Sequence, residues 1–332
     1  MQVTTPTARR LTRQAPAWDR AASRLQQQGA LIALIVLILA GWWRDGDDGF
    51  VSTYNVASAL RYNAMFALIA LGMTFVIMTG GIDLSVGGVV VLCSILAALW
   101  SPLGLWPATL GAVAGGIIVG FINGGLVAWF GIQPFIVTLA TLLAARGLSL
   151  LLADNASVSV DFESSFLQLD RDVGGVPMAV VIAALAYLVG SIVLNLTRFG
   201  RHILAIGGSE EAARLAGLPV PRTLLCVYAV SGGLAGLTGA ILAAQTFTGN
   251  PTEAVGWELS AIAAVVVGGT LLTGGVGSVW TTLVGVLLLG LIINMLNFEN
   301  IDPYWQTMIR GLFLLVVIIL QRRLVRWRDP NR

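Results

Sequence analysis

Long apolar runs, rather than an alternation of apolar and polar positions, dominate the chain. A hydrocarbon core of about 30 Å takes roughly 20 helical residues to cross, with wide tolerance. Runs of that kind lie at 30–43, 61–80, 86–100, 107–130, 134–152, 176–197, 223–245, 258–272, 279–296 and 305–320. In lipid the backbone N–H and C=O groups must be satisfied inside the protein, so these runs predict helices. The expected fold class is all-α: a polytopic membrane protein of about ten transmembrane helices. Residues 1–29 form an N-terminal tail, 30–320 one transmembrane domain, and 321–332 a C-terminal tail; the main polar interruption of the domain is a loop at 198–222.

Composition agrees. Of 332 residues, 57% are hydrophobic and only 11% charged, and the mean hydropathy of +0.86 describes a chain whose solvent is the bilayer. A basic stretch (Arg9, Arg10, Arg13, Arg20, Arg24) precedes the first run, as in a secretory signal. No small-x-small cleavage site follows, and the run ends in Trp42 and Trp43, as an uncleaved span meeting the far interface does. Cys93 and Cys226 lie in apolar runs and read as small buried side chains.

The charges orient the chain. It has no lysine, and 14 of its 19 arginines fall in the N-terminal tail, in the 198–222 loop (Arg198, Arg201, Arg214, Arg222) and in the C-terminal tail (Arg322, Arg323, Arg326, Arg328, Arg332). An even number of spans puts these three regions on one face. The opposite loops carry Asp45, Asp47, Asp48, Asp154, Asp161, Glu163, Asp170, Asp172, Glu253, Glu299 and Asp302. By the positive-inside rule the arginine face, with both termini, is cytoplasmic. Segregated in this way, the arginines form no nucleic-acid patch. Many of the 39 glycines lie inside spans (Gly111, Gly115, Gly116, Gly120, Gly124 and Gly125 in the fourth; Gly232, Gly233, Gly236 and Gly239 in the seventh). They read as close helix–helix packing faces, or as hinges of a gate.

Within the 198–222 loop lies a short capped helix. Ser209 is its N-cap candidate, Glu210 and Glu211 meet the positive dipole end, Gly217 takes the left-handed C′ position and Pro219 stops continuation. About two turns do not persist alone in water, so it must dock, either on its own membrane domain or into a socket on a partner.

Polar residues inside spans are few. Asp83 and Ser85 suit the N-cap of the third span, where free N–H groups cannot find water, a contact to a hydroxylated substrate, or the shaping of a cytoplasmic gate. Asn63, Asn123, Gln133 and Asn294 either link helices or line a polar path. Arg146, Glu258 and Arg310 complete the intramembrane ionisable set. An ion-gradient-driven secondary transporter would use such residues for coupling. No paired carboxylates or Cys/His metal spacing occur in the spans, the single histidine is His202 in the loop, and so no catalytic residue, metal site or cofactor is expected. Trp42, Trp43, Trp106, Trp257 and Trp305 read as interface anchors.

Glu211-Ala-Ala-x-x-x-Gly217 resembles the EAA-type loop of bacterial ABC importer permeases, without the later part of that consensus. Gly80-Gly-Ile-Asp-Leu-Ser-Val-Gly87, Arg198-Phe-Gly with Ala205-Ile-Gly-Gly208, and Val267-Gly-Gly-Thr-Leu-Leu-Thr-Gly-Gly-Val-Gly277 together resemble the ribose/xylose/galactofuranose permease family from about Val51 to Arg323. Gly72-Met-Thr-Phe-Val, Asn297-Phe and Leu320-Gln-Arg look most like the galactofuranose branch. The resemblance implies a type II-like ABC importer permease of the bacterial inner membrane. It also implies a periplasmic sugar-binding protein that delivers a monosaccharide, a second permease (a copy or a paralogue), and an ATPase subunit docked on Gly207, Gly208, Ser209, Glu210, Glu211, Ala212, Ala213, Arg214 and Gly217. The ATPase must be a separate chain, because a phosphate-binding P-loop needs a lysine and this sequence has none.

Overall fold

The computed structural model describes residues 17–302 except 47 and 48, together with 304–309, 311–312, 315–316 and 319; side chains are described from residue 29 onward. Arg9, Arg10, Arg13, Asp47, Asp48, Arg310 and the C-terminal tail lie outside the described residues, as do the side chains of Arg20 and Arg24.

Among the described residues, eleven helices account for nearly all the regular structure: α1 (Ala17–Asp45), α2 (Thr53–Met78), α3 (Val86–Trp100), α4 (Leu105–Phe130), α5 (Pro134–Leu152), α6 (Met178–Leu196), α7 (Arg198–Gly208), α8 (Glu210–Leu215), α9 (Val220–Thr246), α10 (Trp257–Val267) and α11 (Val279–Phe298). Residues 304–309 are helical again. Strands are two residues long: Val158–Ser159 pairs antiparallel with Thr248–Gly249, and Asp172–Val173 with Val176–Pro177.

The expectation of about ten crossings meets seven helices that are long and apolar enough among the described residues: α2, α3 with the turn after it, α4, α5, α6, α9 and α11. The other three runs differ for physical reasons. Only the second half of α1 is apolar, α10 has 11 residues, and the last run is only partly described.

Burial ranks the helices. In α2, 83% of the apolar window is buried inside the protein, against 22% in α5, so α2, with α3 and α9, forms the centre of the bundle and α4, α5, α6 and α11 surround it. The glycine faces pack as expected: Gly116, Gly120 and Gly124 of α4 lie directly against the backbone of Gly232, Tyr228 and Leu225 of α9, leaving no room for a β-carbon. Cys93 is buried, but Cys226 is exposed on the outer side of α9, a correction explained by an apolar face that meets the bilayer rather than another helix.

Trp257 also departs from expectation. It is 7% exposed and packs against Phe66 and Tyr62 of α2, with ring centroids 4.6 and 6.2 Å away. Trp42, Trp43, Trp106 and Trp305 are exposed. The reason lies in the preceding segment. After α9 the chain passes through turns at 251–252 and 255–256, with Gly249 against Ile95 and Ala254 beside Gly87 of α3. Eight residues of α3 correspond to about 12 Å of depth, so α10 begins well inside the bundle rather than at its rim.

Three ion pairs from two arginines tie the acidic end of the bundle. Arg61 of α2 reaches Asp170 at 2.9 Å and Asp172 at 2.5 Å, and Arg44 reaches Glu299 at 2.6 Å. Burial pushes the Asp170 carboxyl above the usual carboxylate range, Arg61 pulls it back, and Asp172 adds to the rise.

Candidate functional site

At the opposite end, α7 and α8 bridge α6 and α9. Thr197 caps α7, its hydroxyl accepting from the Gly200 N–H. The Ser209 hydroxyl accepts from the Ala212 N–H at 3.2 Å and so caps α8. At the other terminus Gly217 has φ of +77°, the Leu218 N–H reaches the Ala213 carbonyl and the Gly217 N–H reaches the Arg214 carbonyl, both at 3.0 Å. That double closure is a Schellman motif, which needs the left-handed residue that glycine supplies. Ala213 is the one buried residue of α8 and packs with Ile206, Val220 and Leu224. Glu210, Glu211, Ala212, Arg214 and Leu215 are exposed, Leu215 at 84%. The Arg214–Glu210 pair at 2.7 Å is a solvent-exposed i,i+4 contact worth little by itself. The helix is therefore fixed at both ends and uncovered along its outer face.

Just before it, Gly207 lies against the Met78 carbonyl and the Gly275 N–H, which bond to each other at 2.9 Å. Gly208 has open space beside it. The end of α2, the end of α7 and the 268–278 turn thus meet at one point. The sequence motifs held all three segments but not their meeting, and α7 itself is amphipathic rather than apolar, so no apolar run marks it.

Three of the six candidate path residues come together. Asp83, in the unwound run between α2 and α3, is 1% exposed. Its Oδ1 accepts from the Ser85 N–H at 3.0 Å and the Ser85 hydroxyl at 2.5 Å, and its Oδ2 from the Ser231 hydroxyl of α9 at 2.8 Å. The Asn123 amide donates to the Ser85 Oγ at 2.9 Å, and the Thr141 hydroxyl donates to Asn123 Oδ1 at 2.6 Å. The expected capping of the third span is done by Asp83; Ser85 holds the N-cap position but its side chain makes no capping bond. The chain of bonds joins α3, α4, α5 and α9 and is buried throughout except at the half-buried Thr141, as linkers between helices are.

The other three lie apart. Gln133 is exposed in the α4–α5 turn, and Asn294 exchanges amide bonds with Asn55 at 2.9 and 3.3 Å. Asn63 borders a cavity of about 230 Å³ between α2, α10, α11 and the segment around Thr307. Tyr62, Phe66, Ser260 and Gly290 line it too; none stood out in the sequence, because aromatic and small residues in apolar runs look like ordinary packing. Of the ionisable residues, Arg146 donates to the Ala254 carbonyl at 3.2 Å and Glu258 is buried beside Gly87. Among the described residues no group of acidic, cysteine and histidine side chains could hold a metal.

The arrangement is that of a membrane-spanning transport protein with one uncovered, doubly capped helix at one end and, near the middle of α2 and α11, a mainly apolar cavity bordered by a few polar side chains such as Asn63 and Ser260. Residues 55–318 match the family described as "Branched-chain amino acid transport system / permease component", and the chain belongs to that family. Similar proteins include the ribose import permease protein RbsC of Bacillus subtilis, 38% identical over 309 residues that cover 90% of this chain and 94% of that one. The L-arabinose transport system permease protein AraH of Escherichia coli is 35% identical, covering 89% and 90%; the D-allose transport system permease protein AlsC of the same species is 33% identical, covering 88% and 90%. No solved structure matches. The chain is a non-catalytic permease subunit of an ABC importer, with ATP hydrolysis carried by a separate subunit.

Proposed function

We propose that this chain forms the translocation path of an ATP-driven importer for a monosaccharide, delivered by a periplasmic binding protein. The observation that carries the reading is the similarity over nearly the full length to permeases named for three different sugars. Ribose and related pentoses or hexoses are the cargo class, with galactofuranose included on the strength of the Gly72–Val76, Asn297-Phe and Leu320–Arg322 motifs. A second permease, identical or paralogous, completes the membrane part.

In this reading the chain crosses the membrane ten times. The apolar half of α1, the non-helical run 250–256 continued by α10, and the segment from residue 304 add three crossings to the seven long helices. Both termini and α7–α8 face the cytoplasm, where α8 fits a socket on the ATPase through Gly207–Arg214 and Gly217. Asn63 lines the path, whereas Asp83, Ser85 and Asn123 hold its walls.

The test is uptake of labelled D-ribose, L-arabinose, D-allose and D-galactofuranose by proteoliposomes that hold the permease, its ATPase and its binding protein. Accumulation of at least one sugar that stops when the binding protein is omitted supports the assignment. Uptake of branched-chain amino acids and of no sugar overturns it.

A further inference from the structure

We infer that the mid-depth cavity between α2, α10 and α11 is a transient monosaccharide site, a waypoint at which sugar is held between arrival and release. The inference rests on the sugar-importer reading and adds the place and the contacts.

Depth is the first argument. Residues 62–66 lie near the middle of α2, 286–293 near the middle of α11, and α10 begins beside them after a non-helical approach. An 11-residue helix is about 16 Å long, half of the hydrocarbon core. Its first turn therefore opens inside the membrane, and non-helical backbone at that depth is tolerated only where protein buries it or where it lines a cavity. Broken helices of this kind mark the substrate level in other transporter folds.

Chemistry is the second. Tyr62 and Phe66 present two rings at 4.9 Å on one wall, and Trp257 packs behind both and fixes them. Flat apolar rings suit the C–H face of a sugar, while placed amides and hydroxyls replace the water its hydroxyls give up. Asn63 supplies such a group. Its Nδ2 donates to the Ala59 carbonyl at 2.8 Å, and its Oδ1 accepts no bond among the described residues. The amide also occupies the space where a side chain at 290 would begin, so Gly290 is what lets it stand at the wall. Ser260 adds a hydroxyl from α10, bonded only loosely to the Gly256 carbonyl at 3.3 Å. Lipid would gain nothing from an amide and a hydroxyl here, whereas a polyol would.

The test uses the complete importer in proteoliposomes with D-ribose, L-arabinose and D-allose as probes. Asn63→Leu and Phe66→Ala should each lower uptake roughly 10-fold, the loss of a contact worth about 1.4 kcal/mol, while the ATPase activity stimulated by the binding protein stays within about twofold. Because either variant could disturb folding, Ser260→Cys in a Cys226→Ser background gives a second reading. A small charged thiol reagent should label it and block uptake, and transported sugar should slow the labelling. Wild-type rates in both cavity variants, or a cysteine that the reagent reaches at the same rate with and without sugar, overturn the inference alone. A cysteine that never reacts indicates an acyl chain in the cavity and overturns it as well. A wild-type complex that accumulates neither these three sugars nor D-galactofuranose overturns the importer reading, and this inference with it.

Discussion

Asp83 shows how one side chain organises the centre of the bundle. Its carboxylate receives two hydroxyls and one backbone N–H, in a place where water cannot substitute. Removing it leaves three buried donors without an acceptor, so Asp83→Ala should destabilise the solubilised protein by about 3 kcal/mol, and Asp83→Asn, which keeps one acceptor, by about 1 kcal/mol. Thermal unfolding in detergent measures both, and an Ala variant that melts with the wild type contradicts the network. The sequence carried half of this. An aspartate three residues before an apolar run is a legible cap, but Ser231 lies 148 positions away and Thr141 looks like any span hydroxyl. Partners chosen by helix packing leave no local mark. Trp257 fails for the complementary reason: the same residue type at the edge of an apolar run serves as a membrane anchor or as a buried ring, and only the depth of the α10 start decides.

Among the elements, α7 and α8 carry the clearest prediction. Gly217→Val forces a β-branched residue into positive φ, at a cost of about 1–2 kcal/mol in a two-turn helix. Glu211→Arg sets positive charge at the positive helix end. Both should weaken ATPase association or uncouple hydrolysis from uptake, with little loss of folded permease. Wild-type coupling in both reduces α8 to a connector. Gly207 tests the next joint. An alanine there meets the Met78 carbonyl and Gly275, so Gly207→Ala must shift α7 against α2, and hydrolysis should continue with uptake reduced several-fold. An unchanged ratio of sugar moved to ATP consumed contradicts a mechanical link from α8 to α2. The boundaries of α3, α4, α5 and α11 follow hydropathy to within about two residues, because lipid-facing helices have to be apolar along their whole length. The break before α10 was hidden, since the non-helical run 250–256 is held by local turns and by its packing against Gly87 of α3 and Arg146 of α5, which its own composition does not mark.

At the scale of the molecule, two groups of segments sort to opposite ends. Residues 78–80, 207–208 and 274–275 touch one another, and Arg61 meets the 170–172 turn while the 158–159 and 248–249 strands pair. Together with the arginine bias, this supports the proposed topology, with 198–222 in the cytoplasm and 153–175 outside. Reporter fusions check it, and a periplasmic 198–222 loop overturns the ten-crossing reading. The whole-molecule class was legible because hydropathy and arginine placement are properties of long stretches, insensitive to any single contact. The energy source is the central claim, and it is tested by one comparison in proteoliposomes. Permease with its ATPase, binding protein and internal ATP should accumulate sugar whether or not ionophores collapse every ion gradient, and permease alone under an imposed proton or sodium gradient should accumulate none. Gradient-driven accumulation by the permease alone would contradict the account.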